Sequence, residues 1–182
     1  MEKVIAYHCG PALAGIKTAN LVSINKKKFP QAETEIAQLN NHFNKKGIYF
    51  ECICQCDERL LILVYRKQLL QEYLKSHDIA QKLHSYGYSE KGGLEQHLDF
   101  LKRRMKNNSF PHEIGAFLGY PAQDINGFIN HKDEGVLLVG EWKVYSDVEG
   151  AKKAFRRYCS CRNALVKRID KGNSLADIFC AA

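Results

Sequence analysis

Residues 110 to 129 read FPHEIGAFLGYPAQDINGFI, and no other stretch restricts the fold of the chain as strongly. It holds two prolines, three glycines and four aromatic residues. Proline fits the first position of a helix and breaks a helix further along. Pro111 therefore predicts a helix of about two turns, Gly119-Tyr120-Pro121 predicts a break, and a second helix should run through Asn130. Two short helices that cross at a tight turn are typical of a helix-turn-helix corner.

A corner of this kind raises the question of DNA binding. A DNA-reading helix presents polar side chains to base edges, while nearby Lys or Arg contacts phosphates. The polar side chains expected to be exposed on the second helix are Gln123, Asp124, Asn126 and Asn130. Lys132 is close enough to contact a phosphate, but Asp124 would repel one. The sequence therefore argues against nucleic acid as the partner.

His112 and Glu113 stand at the predicted start of the first of these helices. Histidine and glutamate titrate near useful pH values when partly buried, so the pair could act as general acid and base or as metal ligands. The alternative is a structural role. Ser109 would then accept a hydrogen bond from the first turn, and the helix dipole would favour Glu113 at that place.

Cys9 lies in the segment Tyr7-His8-Cys9-Gly10-Pro11, which leads into helical spacing from Ala12 to Ile24. With Pro11 at the first helical position, Cys9 would occupy a helix N-terminus. Free N–H groups and the helix dipole stabilise a thiolate there and lower the pKa of a cysteine. Papain-like thiol enzymes use the same order, a cysteine that opens a helix and a later histidine. The alternative is a small apolar side chain packed at a helix start.

An alternating pattern from Ile48 to Cys56 predicts a half-buried strand that places Cys52, Cys54 and Cys56 on one face. Thiolates are favoured ligands of zinc and iron–sulfur clusters. Side chains two positions apart in a regular strand, however, stand roughly 6.5 to 7 Å apart, too far for one tetrahedral ion. Three small core residues are therefore the preferred interpretation.

The strand pattern predicts a small three-stranded antiparallel sheet. The segment from Leu60 to Tyr65 forms a hairpin with the cysteine strand, and residues 135–145 are expected to complete the sheet. The other periodic segments predict about seven helices, including the helix-turn-helix-like corner. Ser146-x-x-Glu149 predicts a capping box at the start of one helix, and Ser174 is expected to cap a last short helix that ends in Phe179. We therefore expect an α+β fold in a single domain, residues 1–182.

Charge and cysteine content narrow the class of protein. A net charge of +7 favours phosphate-bearing ligands or an acidic partner, although the basic runs look spread over solvated faces. The apolar segment from Val4 to Ile16 is interrupted, and no stretch reaches the roughly 18 apolar residues of a membrane span. We therefore expect a cytosolic protein that does not insert into a membrane. Seven cysteines, an odd number, are expected to be reduced thiols.

Three motifs together resemble a known family: HCGPALAGIKTANL near the start, FPHEIGAFLGYPAQDINGFI, and GEWKVY followed by a helix with FRRYC. The chain is similar over nearly its whole length to the bacterial domain of unknown function 3793, found mostly in anaerobic Firmicutes. The resemblance implies a shared fold and a shared site of unknown chemistry. The residues that fall on the motif positions are Cys9, Pro11, Lys17, His112, Glu113, Gly115, Gly119, Tyr120, Pro121, Gly127, Trp142, Lys143 and Tyr145.

Three functional hypotheses remain, and neither substrate nor cofactor follows from the sequence. The first is a thiol-dependent enzyme or thiol carrier centred on Cys9. Its base would be His8, His112 or His131, oriented by Glu113 or Glu141, and the His112–Glu113 pair is the preferred choice. The second is a metal- or haem-handling protein that uses His8, Cys9 and His112. The third is a basic binding module for nucleic acid or for an acidic protein such as a flavodoxin-like redox partner.

Overall fold

The structure, a computed structural model, describes residues 1–106 and 110–180. The chain divides into two compact units: unit 1 is Met1–Leu70 with Cys161–Ala182, and unit 2 is Gln71–Ser160. Unit 2 is one continuous segment, whereas unit 1 is assembled from both ends of the chain. Whether the two units unfold together depends on their cooperativity, so the single-domain assignment stays a prediction. No helix in the described ranges is both long enough and apolar enough to cross a membrane.

The architecture is α+β, as the sequence predicts. Within the described residues the elements are, in chain order, α1 (Glu2–Leu13), β1 (Ala19–Asn25), α2 (Ala32–Phe43), β2 (Ile48–Gln55), β3 (Arg59–Arg66), α3 (Lys67–Leu74), α4 (His77–Ser85), α5 (Leu94–Met105), α6 (Ile114–Phe117), α7 (Ala122–His131), β4 (Leu138–Val139), β5 (Lys143–Val144), α8 (Val148–Asp170) and α9 (Leu175–Phe179). Nine α-helices are therefore described, against the expected seven or so. The boundaries between the units fall within α3 and α8.

A three-stranded antiparallel sheet with strand order β1-β3-β2 forms the centre of unit 1. The predicted hairpin is confirmed, with Phe50 of β2 opposite Val64 of β3. The third strand is β1, and assigning that place to residues 135–145 was wrong. The helical spacing seen between Ala12 and Ile24 came from two elements, because Gly15 adopts a φ of +71° and ends the first helix. Residues 135–145 instead contribute β4 and β5, a separate two-stranded hairpin in unit 2.

Helix α1 begins at Glu2, so Pro11 lies in its last turn and Cys9 in its interior. The prediction that Cys9 opens a helix was therefore wrong. A proline inside a helix usually costs stability, but here the helix ends two residues later. Next to the proline, the backbone N–H of Ala12 donates to the buried side-chain oxygen of Asn20, at 3.0 Å. Arg66 donates from Nε and Nη2 to the Leu13 carbonyl, at 3.2 and 2.6 Å, and so caps the helix end.

Strand β2 alternates as predicted only as far as Cys52. Its register with β3 shifts between Cys52 and Cys54, which marks a β-bulge. Cys52 and Cys54 are both half-buried, and Cys52 packs against the core of unit 1, while Cys56 is exposed. The interpretation of three core cysteines is therefore correct for Cys52 alone. A bulge cannot be recognised from hydrophobic alternation, because the residues on both sides of it keep their spacing in the sequence.

Side chains from both ends of the chain meet in the core of unit 1. Leu165 from α8 and Leu175 from α9 are buried in the same apolar cluster as Ile5, Phe43 and Ile62. Ser174 and Asp177 form a capping box at the start of α9, which confirms the predicted cap. The Leu175 backbone N–H also donates to the Glu2 carboxylate at 3.0 Å. The last segment of the chain is therefore part of this core.

Candidate ligand-binding pocket in unit 2

The corner predicted from the sequence forms in unit 2, with a shorter first helix. Helix α6 is a single turn, and a separate turn at His112 and Glu113 precedes it. Gly119 adopts a φ of +74°, which lets the backbone reverse, and the Tyr120 N–H donates to the Gly115 carbonyl at 2.9 Å. A Cβ on Gly115 would lie 3.2 Å from Cγ1 of Ile125. The two helices of the corner therefore cross at close range.

Asp124 of α7 is buried, with 3 % of its surface exposed, although the sequence suggested a solvent-facing position. Its Oδ1 accepts hydrogen bonds from the backbone N–H groups of Tyr145 and Ser146, at 2.9 and 3.0 Å, and from the Ser146 hydroxyl at 2.8 Å. Its Oδ2 accepts from Nε1 of Trp142 at 2.7 Å. Hydrogen bonds to a charged acceptor are stronger than neutral ones, so this carboxylate holds the hairpin region against α7.

Ser146 was expected to open α8 through a capping box with Glu149. Its hydroxyl donates to Asp124 instead. Asp147 takes the capping role, because its carboxylate accepts from the Gly150 N–H at 2.9 Å. The expected cap is therefore displaced by one residue.

Aromatic contacts fix the orientation of Trp142. Its indole stacks on Tyr120, with ring centroids 5.1 Å apart, and meets the edge of Phe155 at 4.6 Å. The Tyr120 hydroxyl donates to the backbone carbonyl of Glu141 at 3.1 Å. Trp142 is the only tryptophan of the chain. Its ring is thus held by one hydrogen bond and two aromatic neighbours, which favours a fixed orientation.

The corner and the β4–β5 hairpin together form a pocket of about 400 Å³. Most of its lining is apolar or aromatic, with a few polar groups between. The lining residues are Phe110, His112, Ile114, Gly115, Tyr120, Asp124, Ile125, Phe128, Glu141, Trp142 and Lys143. Two motifs that lie apart in the sequence, FPHEIGAFLGYPAQDINGFI and GEWKVY, therefore meet on one cavity.

His112 and Lys143 both contact the ring of Phe128 at this pocket. The imidazole of His112 lies edge to face with that ring at 5.3 Å, and the Lys143 ammonium lies 5.3 Å from the ring centroid. Lys143 also forms an ion pair with Asp133. The hydrogen bond that the Lys143 ammonium donates to the Asp133 carboxylate raises the pKa of Lys143 and lowers the pKa of Asp133. Lys143 is therefore a charged and already paired cation at the pocket.

A family model described as Protein of unknown function (DUF3793) matches residues 5–179. The chain belongs to this family. The sequence-based resemblance is thereby confirmed over nearly the whole chain, and the match includes every motif residue that lines the pocket. No curated protein and no solved structure matches the chain.

Glu113 of this DUF3793 protein faces away from the groups that line the pocket. Its fully buried carboxylate forms an ion pair with Arg104 of α5. The Tyr88 hydroxyl donates to the same carboxylate at 3.3 Å. His112, by contrast, is exposed and lines the pocket. The two neighbours in sequence therefore have different surroundings, and Glu113 has the contacts of a structural ion pair.

Cys9, the third predicted site residue, belongs to unit 1 of the DUF3793 chain. Its side chain is fully buried in the apolar core. Burial raises the pKa of the Cys9 thiol, and the charges of Lys17 and Arg162 offset only part of that rise. A nucleophilic cysteine needs a lowered pKa and access to substrate. The environment of Cys9 weighs against that role, and the thiol-centred site stays a prediction.

Metal ligation was the second hypothesis for the DUF3793 sequence. Within residues 1–106 and 110–180, no group of three or more His, Cys, Asp or Glu side chains is arranged to hold an ion. The cysteines of β2 are separated by the bulge described above. Ser109, the expected cap before His112, lies outside the described residues.

Sequence reasoning missed the pocket itself and the central position of Asp124. The family motifs identified His112, Trp142 and Lys143. These residues lie in two separate motifs, and no local sequence pattern shows that the motifs meet in the fold. One signal was present: Asp124 stands one residue before Ile125 and three before Gly127, two positions that face a neighbouring element. An acidic side chain on the packed side of a short helix indicates a buried hydrogen-bond acceptor.

Proposed function

We propose that unit 2 is a small-molecule-binding module whose ligand occupies the pocket between the corner and the β4–β5 hairpin. The observation that carries this proposal is the cavity of about 400 Å³ with a mainly apolar and aromatic lining. Ligand sites in proteins typically measure about 300 to 1,000 Å³ and combine such a lining with a few polar groups. His112, Glu141 and Lys143 supply the polar groups here.

The rigid surroundings of the pocket support the same proposal. Preorganised sites bind more tightly, because less conformational entropy is lost when the ligand enters. Trp142 is held through Asp124, and Tyr120 through the Glu141 carbonyl. Phe110 lies at the edge of the pocket with 54 % of its surface exposed, so its ring is accessible from solvent. A ligand would cover it.

Binding can be followed through Trp142, since a protein with one tryptophan gives one indole N–H resonance in a proton–nitrogen NMR spectrum. The probes are three molecules of similar shape: 4-hydroxyphenyltrimethylammonium, 4-tert-butylphenol and 4-tert-butylbenzoate. We expect at least one of them to shift the indole resonance in a saturable way. The absence of a saturable shift with all three would refute the proposed function.

Two aromatic residues of equal exposure provide a matched pair of variants. Phe110 lines the pocket, while Tyr7 lies in unit 1 and is 55 % exposed. Phe110→Ala should weaken probe binding several-fold, because it removes apolar contact area. Tyr7→Ala should leave the affinity unchanged. Equal weakening by both substitutions would mean that the probes do not bind in this pocket.

The cellular compartment is a second part of the proposal. We place the protein in a reducing compartment, the cytosol, because all seven cysteines are free thiols. Fractionation of cells that produce the protein tests this placement, and recovery with disulfide-bonded proteins outside the cytosol would contradict it.

A further inference from the structure

The charges around the pocket have the opposite sign to the charge of the chain. Two carboxylates, Asp124 and Glu141, belong to the described lining, against one ammonium group, that of Lys143. That ammonium is paired with the carboxylate of Asp133. The protein as a whole carries a net charge of +7. The pocket is therefore a locally acidic site in a basic protein, and it would repel an anionic ligand.

The aromatic lining is a second feature that favours a positively charged ligand. Faces of tryptophan, tyrosine and phenylalanine rings attract cations through their quadrupole. The pocket contains Trp142, Tyr120 and Phe128, and the ring of Phe128 already lies under the Lys143 ammonium at 5.3 Å. The pocket therefore already holds one cation, the Lys143 ammonium, against one of its rings, that of Phe128.

From these two observations we propose that the ligand of the pocket is an organic cation, an ammonium group carried on an apolar body. This inference rests on the proposed binding function and specifies the chemical class of the ligand. The apolar body occupies the cavity formed by the α6–α7 corner. The ammonium group lies against the rings, where the carboxylates of Asp124 and Glu141 favour its charge.

The three probes named above test this inference, since they share an aromatic ring and a branched substituent and differ in charge. At neutral pH the trimethylammonium compound is a cation, the phenol is neutral and the benzoate is an anion. A cation–π contact typically strengthens binding by roughly 5- to 30-fold over a neutral group of the same shape. We expect the cation to bind most tightly and the anion most weakly, measured by titration of the Trp142 indole resonance.

The outcome separates this inference from the function on which it rests. If the neutral probe binds as tightly as the cation, or the anion binds best, the pocket is a ligand site but not a cation site. If no probe binds, both proposals are overturned. Only the order cation, neutral, anion supports the inference.

Lys143→Met gives a second test, because the change in affinity should be opposite for a cationic and for an anionic ligand. The substitution removes the ammonium and leaves Asp133 without its partner, so a cationic ligand should bind several-fold more tightly. An anionic ligand would bind more weakly in the same variant.

Phe128→Leu tests the contribution of the ring. The substitution should weaken binding of the cation several-fold and binding of the neutral probe less, because the ring face is lost while apolar volume is kept. An unchanged midpoint of urea unfolding for the ligand-free variants shows that both substitutions leave the fold intact.

Discussion

At the scale of single residues, Asp124 shows how one side chain can organise a site. Its two oxygens accept four hydrogen bonds, from Trp142, Tyr145 and the backbone and side chain of Ser146. The sequence identified Trp142 and Tyr145 through the family motifs, but it placed Asp124 on a solvent-facing surface. Local periodicity does not show what lies opposite a helix, and here the partners come from a hairpin some 20 residues further along, a contact of tertiary origin.

The substitution Asp124→Asn tests this role. The amide keeps one acceptor oxygen, but its NH2 group would face a donor, so at least one buried donor loses its partner. We expect a loss of about 2 kcal/mol or more in the free energy of unfolding, together with a shift of the Trp142 indole resonance. Asp99→Asn is the control, because its 70 % exposed carboxylate forms only a surface ion pair with Lys102. An equal, small effect of both substitutions in urea unfolding would contradict the role of Asp124.

Tyr73 makes stability depend on pH in the alkaline range. Its hydroxyl donates to the Tyr120 carbonyl at 2.5 Å, and burial raises its pKa from 10.0 to about 12. A raised pKa means that the neutral phenol is favoured in the folded state. The resulting stability is present in full below pH 10 and is lost as the pH rises towards 12.

We therefore expect Tyr73→Phe to be less stable than the wild-type protein by about 1 kcal/mol at neutral pH, through loss of the hydrogen bond. This difference should shrink between pH 10 and 12, because the variant lacks the ionising group. Urea unfolding across that pH range measures both effects. The exposed Tyr7→Phe should follow the wild-type curve, and a constant difference for Tyr73→Phe at every pH would disprove the linkage.

At the scale of elements, the contact of α7 with β5 depends on a glycine. A Cβ on Gly127 would lie 2.3 Å from Cγ and 2.7 Å from Cβ of Tyr145, closer than atoms can approach. The Tyr145 hydroxyl is held in turn by the Lys132 carbonyl at the end of α7. The glycine is therefore required by close packing rather than by a special backbone angle.

Gly127→Ala should lower the free energy of unfolding by about 1 to 3 kcal/mol, because the added methyl group forces α7 and the hairpin apart. Thermal unfolding measures this loss. Gly93→Ala is the control for added volume in the same unit, since no heavy atom lies within 4 Å of its added Cβ and its φ is −76°. Because Gly93 is the N-cap of α5, where Gly is preferred to Ala, we expect this control to lose no more than about 1 kcal/mol. A stable Gly127→Ala protein with an unshifted indole resonance would show that the contact tolerates the extra volume.

Predictability from sequence differs between elements for physical reasons. The hairpin β2–β3 and the cap of α9 were predicted correctly, because alternation and capping residues are local signals. Strand β1 was missed, since its apolar residues continue a helical spacing across Gly15. The β4–β5 hairpin was predicted as strand but placed in the wrong sheet, because pairing partners leave no trace in a single sequence.

At the scale of the whole molecule, the predicted site residues are divided between the two units. Cys9 belongs to the core of unit 1, and His112 and Glu113 belong to unit 2. The order of residues along the chain suggested a thiol site, but the burial of Cys9 depends on packing that the sequence does not specify. Its reactivity is therefore a direct measure of how often unit 1 opens.

Alkylation with iodoacetamide, followed peptide by peptide in a mass spectrometer, measures this reactivity. We expect Cys56, which is exposed, to react quickly in the native protein. Cys9 should react many times more slowly, because its thiol is buried and its pKa is raised by that burial. Addition of urea should bring the two rates together. Fast alkylation of Cys9 under native conditions would instead support the thiol hypothesis.

The division of unit 1 between both ends of the chain has a consequence for biosynthesis. Residues 1–70 are synthesised before unit 2 and already contain all three strands of the sheet. Leu165 and Leu175, which are buried in the same core as Ile5 and Phe43, are synthesised only after unit 2. Unit 2 is a continuous segment and can fold as it is synthesised. Until then, residues 1–70 keep exposed the apolar surface that residues 161–180 later cover. During that interval we expect residues 1–70 to be prone to aggregation and therefore a target for chaperones.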